Sequence, residues 1–214
     1  MFKDRKEAGK RLGKMLEPYK HSDAVVLAIP RGGVEVGFYV ARHLDLPLSV
    51  VVIRKLPFPD NTESGFGAIA EDDSVYFIDK VYDWMPFDKI QAIIDKQKNE
   101  VQRRVKAYRD KNHLPTITNK IVILVDDGIA MGSTMQAAVM LCRNKKARKV
   151  IVAAPVAGMD TAMEMARIAD DVIIAEKPME FHAVADFYEN WYDVGDEEVI
   201  DFLNRSVLEG KKNG

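Results

Sequence analysis

The sequence is short of several things, and each shortage narrows what the chain can be. Among its 214 residues there is one cysteine, Cys142. An intrachain disulfide framework and any multi-cysteine zinc site are therefore excluded. Cys142 itself lies mid-helix among apolar residues and reads as packing. No run of about 18 apolar residues occurs, so no membrane-spanning helix is expected. The opening stretch, MFKDRKEAGKRLGKML, lacks the apolar core of a signal peptide. The expected location is cytoplasmic, with no membrane partner. Neither sign of charge dominates, 31 Lys+Arg standing against 33 Asp+Glu for a net −2. Bulk attraction to nucleic acid has no basis in that balance. There is no internal repeat and no low-complexity tract. What is present is an apolar fraction of 47%, in a chain long enough to bury roughly 70% of its unfolded surface without a staple.

The apolar residues fall into short runs separated by helical patterns. Ala24–Ile29, Leu48–Ile53, Ile121–Val125, Val150–Ala154 and Val172–Ala175 are almost wholly apolar, as strands buried on both faces are. Helical spacing is expected over 6–17, from Gly33 to about His43, over 133–145 and 160–168, and in a closing helix, Asp196–Leu203. Strands alternating with helices predict an α/β fold, a mostly parallel sheet with helices on both faces. Residues 54–73 are rich in Pro, Gly, Asp and Asn and read as a long loop, with Ser74–Ile78 returning as a strand. A long, charged helix is expected from Asp88 to about Arg109. The whole chain, 1–214, reads as a single domain, with a helical insertion at about 86–112 and a tail at about 177–214.

The chemistry is concentrated in Ile121–Thr134, IVILVDDGIAMGST. A buried strand ends in Asp126-Asp127, a loop holds Gly128 and Gly132, and a helix opens with Ser133-Thr134. Ligands of open α/β sheets sit outside the carboxyl ends of strands. Glycines let a phosphate approach the backbone, and a helix N-terminus offers free N–H donors. Paired carboxylates accept hydrogen bonds from a vicinal diol or hold a divalent cation. A nucleoside-triphosphate loop would need Lys where Ser133 stands, and the G-x-G-x-x-G fingerprint is absent. A receiver domain carries its paired aspartates on the first strand.

The segment resembles the sugar-phosphate motif of type I phosphoribosyltransferases, which use phosphoribosyl pyrophosphate (PRPP). The resemblance implies that Asp126 and Asp127 hold the ribose hydroxyls and, through ribose and water, Mg²⁺. It implies a 5′-phosphate loop of Gly128, Ile129, Ala130, Met131, Gly132, Ser133 and Thr134, with Met131 standing where the family usually has Thr. Arg31, Gly32 and Gly33, in PRGG after the first strand, match the pyrophosphate loop, although Pro-x-Gly-Gly is also an ordinary turn. Arg54-Lys55, before residues 56–73, matches the flexible catalytic β-hairpin that closes over PRPP. The catalytic set is then Asp126, Asp127, Arg54 and Lys55. More closely, LAIPRGGVEVG, VIRKL, GAIAEDD, VDDGIAMGSTM and FHAVADFY resemble the phosphoribosyltransferase-like proteins of bacteria and archaea. Glu100, Arg103, Arg104, Tyr108 and Arg109 match that group's pattern on the long helix.

In the family a small hood holds the acceptor base, and the tail offers Phe181, Phe187, Tyr188 and Trp191 as a stacking surface. The same rings can instead pack the last helix against the sheet. Glu180 and His182 could hydrogen-bond a base. The expected function is transfer of the 5-phosphoribosyl group from PRPP to a nitrogen acceptor, a nucleobase by resemblance, with Mg²⁺ and release of pyrophosphate. The expected assembly is a homo-oligomer. The rival is a non-enzymatic PRPP-sensing regulator that binds nucleic acid. Its support is Lys96–Lys111, seven basic residues against Glu100 and Asp110.

Overall fold

The computed structural model describes residues 1–78, 80–109 and 113–210. Asp110 and Lys111 of the basic stretch, residue 112 of the insertion and residues 211–214 of the tail lie outside the described residues. The main sheet has five parallel strands. β1 (Val25–Ala28), β2 (Leu48–Val50), β6 (Ile121–Val125), β7 (Lys149–Val156) and β8 (Asp171–Glu176) lie in the order β2-β1-β6-β7-β8. The expected parallel sheet is thus present, and it is wholly parallel.

The period of two along each strand sorts side chains to the two faces. Val122 and Leu124 join a core with Met135, Ala138 and Leu141 of α5 (Ser133–Asn144) and Met165 of α6 (Met159–Ile168). Ile123 and Val125 turn the other way, toward Leu12 of α1 (Arg5–Met15) and Val36, Val40 and Leu44 of α2 (Gly32–Leu44). With both faces covered, near-continuous apolar strands are what the sheet requires.

Residues 54–73 are not a loop. β3 (Ile53–Phe58) and β4 (Asn61–Ala70) form an antiparallel hairpin that β5 (Val75–Phe77) extends to three strands. The residues that read as loop markers have positional uses in this small sheet. Pro57 sits where the β3–β4 register shifts on both sides of it, a bulge that tolerates a missing N–H. A Cβ on Gly67 would come within 2.1 Å of the Tyr76 carbonyl oxygen, so glycine is what lets β5 pair. The expected strand Leu48–Ile53 also breaks after Val50. The Val52 N–H donates to a Glu71 carboxylate oxygen at 3.0 Å, so the chain leaves the parallel sheet there and enters the hairpin.

The insertion forms α3 (Val81–Trp84) and α4 (Phe87–Arg109), and the tail ends in α7 (Asp196–Gly210). Ile90, Val101 and Tyr108 of α4 share a second core with Leu56 and Phe66 of the hairpin, Phe38 of α2 and Val199 and Phe202 of α7. No helix among the described residues is long and apolar enough to cross a membrane.

Candidate active site

The order β2-β1-β6-β7-β8 has its switch point between β1 and β6. From β1 the chain proceeds outward to β2; from β6 it proceeds the other way to β7 and β8. Loops leaving the carboxyl ends of two such strands part there and leave a crevice. The two loops at this crevice are Pro30–Gly33, after β1, and Asp126–Gly132, after β6.

The fit between them is tight. A Cβ on Gly32 would lie 1.8 Å from Asp127 Oδ2, and one on Gly33 would lie 2.9 Å from both Asp126 Cα and Asp126 Oδ1. The glycines of PRGG therefore leave room for the two carboxylates. Asp126 Oδ1 accepts the Asp127 backbone N–H at 2.8 Å. Burial pushes the Asp126 carboxyl well above the usual carboxylate range, and the neighbouring charge of Asp127 pushes it further.

Beyond the aspartates, Gly132 takes φ +76° at the N-cap of α5, a conformation suited to glycine. The Ala130 carbonyl accepts from Thr161 Oγ1 at 2.9 Å, which ties the loop to α6. The first-turn N–H groups of α5 have no intrahelical acceptors and open onto a cavity of ≈ 190 Å³. Asp126, Ser133 and Thr134 line it, and so does Lys55 from the hairpin. Met131 is 54% exposed on its rim. Arg54 points elsewhere: its Nε donates to Gln97 Oε1 of α4 at 3.1 Å. Burial, with the Arg104 guanidinium near it, lowers its pKa. Arg31 is exposed at the N-cap of α2, and its peptide bond with Pro30 is cis.

The family model of the phosphoribosyl transferase domain matches residues 5–188 of this chain. The chain belongs to that family. Two Mycobacterium tuberculosis proteins, each provisionally named a phosphoribosyl transferase, are 39% identical to it over 208 residues. The match covers 96% of this chain and 47% of theirs, so the chain spans about half the length of the curated relatives it matches. The crystal structure of TT1426 from Thermus thermophilus is similar, with TM-score 0.81 and 32% identity over 95% of this chain and 98% of that one.

In this phosphoribosyl transferase domain, the residue that sequence reasoning missed is Arg5. It is 3% exposed, and its Nε donates to Asp127 Oδ2 at 2.8 Å. Its Nη1 donates to the Tyr192 carbonyl oxygen at 3.0 Å, and its guanidinium carbon lies 4.0 Å from the centre of the Trp191 ring. The Tyr188 hydroxyl donates to the Asp127 carbonyl oxygen at 2.6 Å. No local pattern marks Arg5, because its partners lie 122 and 187 positions away.

Two of the four tail rings expected to face a base, Tyr188 and Trp191, make contacts within the fold. Tyr188 is 5% exposed and packed on Phe2 and Trp191, while Trp191 lies against Arg5. These two rings hold a charged group in place, and the face of Tyr188 is closed to a base. Phe181 and Phe187 stack on each other at 5.7 Å. Phe181 and His182 line a second cavity of ≈ 420 Å³ that shares Ala130 and Met131 with the first.

The basic stretch on α4 is largely neutralised. Lys98 pairs with Asp73 at 2.6 Å, Arg103 with Glu100 and Asp196, Arg104 with Glu100, and Arg109 with the buried Glu71 at 2.6 Å. The Glu100 carboxyl is held at about 2, first by Arg103. The pairs with Glu71, Asp73 and Asp196 tie α4 to the β4–β5 turn and to the first residue of α7, while Lys96 and Lys106 stay exposed.

Proposed function

We propose that this protein transfers the 5-phosphoribosyl group of PRPP to a nitrogen acceptor, with pyrophosphate leaving. The observation that carries this reading is the convergence of the two loops across the β1/β6 crevice. The glycine turn lies against the paired carboxylates, and Asp126 also lines the cavity at the α5 N-terminus. In this reading the whole chain is one phosphoribosyl transferase unit, with the insertion and tail as parts of it.

Asp126 and the second oxygen of Asp127 accept the ribose hydroxyls. Ala130–Thr134 hold the 5′-phosphate with backbone N–H groups and the two hydroxyls. Gly32 and Gly33 present backbone to the pyrophosphate, with Arg31 and Lys55 supplying positive charge. Arg54 acts from behind, held by Gln97. The donor set suits Mg²⁺, which is commonly bound through one or two carboxylates plus substrate oxygens rather than by an all-protein cage. Among the described residues no cluster of three or more His, Cys, Asp or Glu could form such a cage. Bound between Asp126, Asp127 and PRPP, the ion would offset charge on the leaving diphosphate. The chain's own work is positioning, and the hairpin carrying Lys55 keeps water from the activated ribose carbon.

The acceptor is assigned to the ≈ 420 Å³ cavity, where Phe181, backed by Phe187, offers an aromatic wall. Free bases and amines incubated with PRPP and Mg²⁺ should give pyrophosphate release with at least one acceptor. Phe181→Ala should then raise that acceptor's KM roughly tenfold, about the 1–3 kcal/mol of one stacked base, with the PRPP KM little changed. No release with any acceptor, in a protein that binds PRPP, would reject turnover.

Met131 gives a second test. A thioether is a weak acceptor and no donor. Because the side chain is largely exposed, Met131→Thr leaves no internal cavity. The new hydroxyl should raise ribose 5-phosphate affinity roughly three- to tenfold, about 0.6–1.4 kcal/mol. Weaker binding in a folded Met131→Thr protein, measured by calorimetry, would count against the loop assignment.

A further inference from the structure

Away from the sheet edge, Lys6, Lys10, Tyr39, Arg42, His43 and Arg205 line an open cavity of ≈ 600 Å³ between α1, α2 and α7. No acidic residue lines it among the described residues. Its shape follows from two glycines. A Cβ on Gly9 would come within 2.7 Å of the Val36 carbonyl oxygen, and one on Gly13 within 2.9 Å of His43 Cβ. Glycine at both positions lets α1 lie close on α2. Lys6 and Lys10, one helical turn apart, then stand together on the same side of α1, beside Arg42 and His43.

Among the cations, Arg205 pairs with Asp201 at 3.4 Å and Arg42 is also partnered, while Lys6 and Lys10 are exposed and make no ion pair among the described residues. The His43 ring contacts Glu17. Arg205 is also held in place, its guanidinium carbon 4.8 Å from the Phe38 ring centre and 5.1 Å from that of Phe202. Three helices thus converge positive groups on one cavity, a stronger local field than the net charge of −2 would suggest.

We propose that this groove is a second anion site, taking a nucleoside triphosphate. Several converging cations call for a ligand with several charges. The cavity has the size of sites that hold ligands of nucleotide dimensions. Tyr39, half-buried at its wall, offers a ring for a base. A long nucleic acid is disfavoured, since the basic residues are gathered in one cavity and do not continue as a track. The groove is also remote from the PRPP crevice: Arg42 lies ten residues along α2 from Gly32, about 15 Å of helix rise. The proposal does not depend on the transferase reading.

Calorimetry with ATP as the probe tests it. Lys6→Ala combined with Lys10→Ala should lower ATP affinity by roughly tenfold or more. Both lysines are exposed, so the melting temperature should not move. Lys55→Ala, at the sheet edge, should leave ATP affinity as it was. The proposal falls if wild type does not bind ATP at millimolar concentration, or if the lysine variant binds it as wild type does. It also falls if Lys55→Ala abolishes ATP binding, which would put the phosphates at the sheet edge. Tighter, lysine-dependent binding of a single-stranded oligonucleotide than of ATP would overturn it in favour of a polynucleotide face.

Discussion

Asp126→Asn is expected to weaken PRPP binding at least tenfold while leaving the melting temperature unchanged or raised. The two effects have opposite signs because Asp126 is costly to the fold and useful to the ligand. Its charge is desolvated beneath Gly33 and repelled by Asp127, and both raise its pKa. Asparagine keeps the volume and the Oδ1 acceptor for the Asp127 N–H, and it removes the repulsion. A ribose hydroxyl then meets a neutral acceptor, and a charged hydrogen bond worth about 1.5–3 kcal/mol is lost. Stability gained at the expense of binding is common where a site is built from strained or repelling groups. Adding Asp127→Asn should reduce affinity further, but now with a lower melting temperature, because Arg5 loses its carboxylate. Calorimetry and thermal denaturation on the same preparations read both quantities. Equal PRPP affinity in wild type and both variants would remove the aspartates from the site.

Arg5→Met should cause the largest loss of stability of any single change considered. Breaking a buried ion pair by removing one partner leaves the other charge uncompensated, typically at a cost of 3–5 kcal/mol. The Asp127 side chain keeps 15% exposure, so part of that cost is relieved by water. A net loss of about 2–3 kcal/mol is expected, which for a chain of this size lowers the melting temperature by roughly 5–10 °C. The variant also frees the Tyr192 carbonyl and removes the cation lying on Trp191. Hydrogen exchange should therefore speed up around 188–194 more than around β7. Arg5→Lys keeps the charge but loses the planar contact with Trp191, so it should fall between wild type and Arg5→Met. A melting temperature unchanged in Arg5→Met would show that the other contacts of the tail hold it without Arg5.

What could be read from the residues alone was whatever is encoded locally. The buried strands declared themselves because a sheet covered on both faces demands apolar residues at every position. The strand–DDG–loop–helix order placed Asp126, Asp127 and the α5 N-terminus at one sheet edge, because a parallel α/β connection has few other ways to run. The hairpin was misread for a physical reason. Proline and glycine mark loops on average, yet Pro57 occupies a bulge and Gly67 makes room for Tyr76. Both facts depend on partner strands that local sequence does not name. Arg5 and the tail are the clearest case. Nothing near Arg5 distinguishes it from the five other lysines and arginines among the first fourteen residues. Its role arises only when the fold brings residues 5, 127 and 188–192 together, and burial then makes a single guanidinium hold the candidate catalytic edge and the segment before α7 at once.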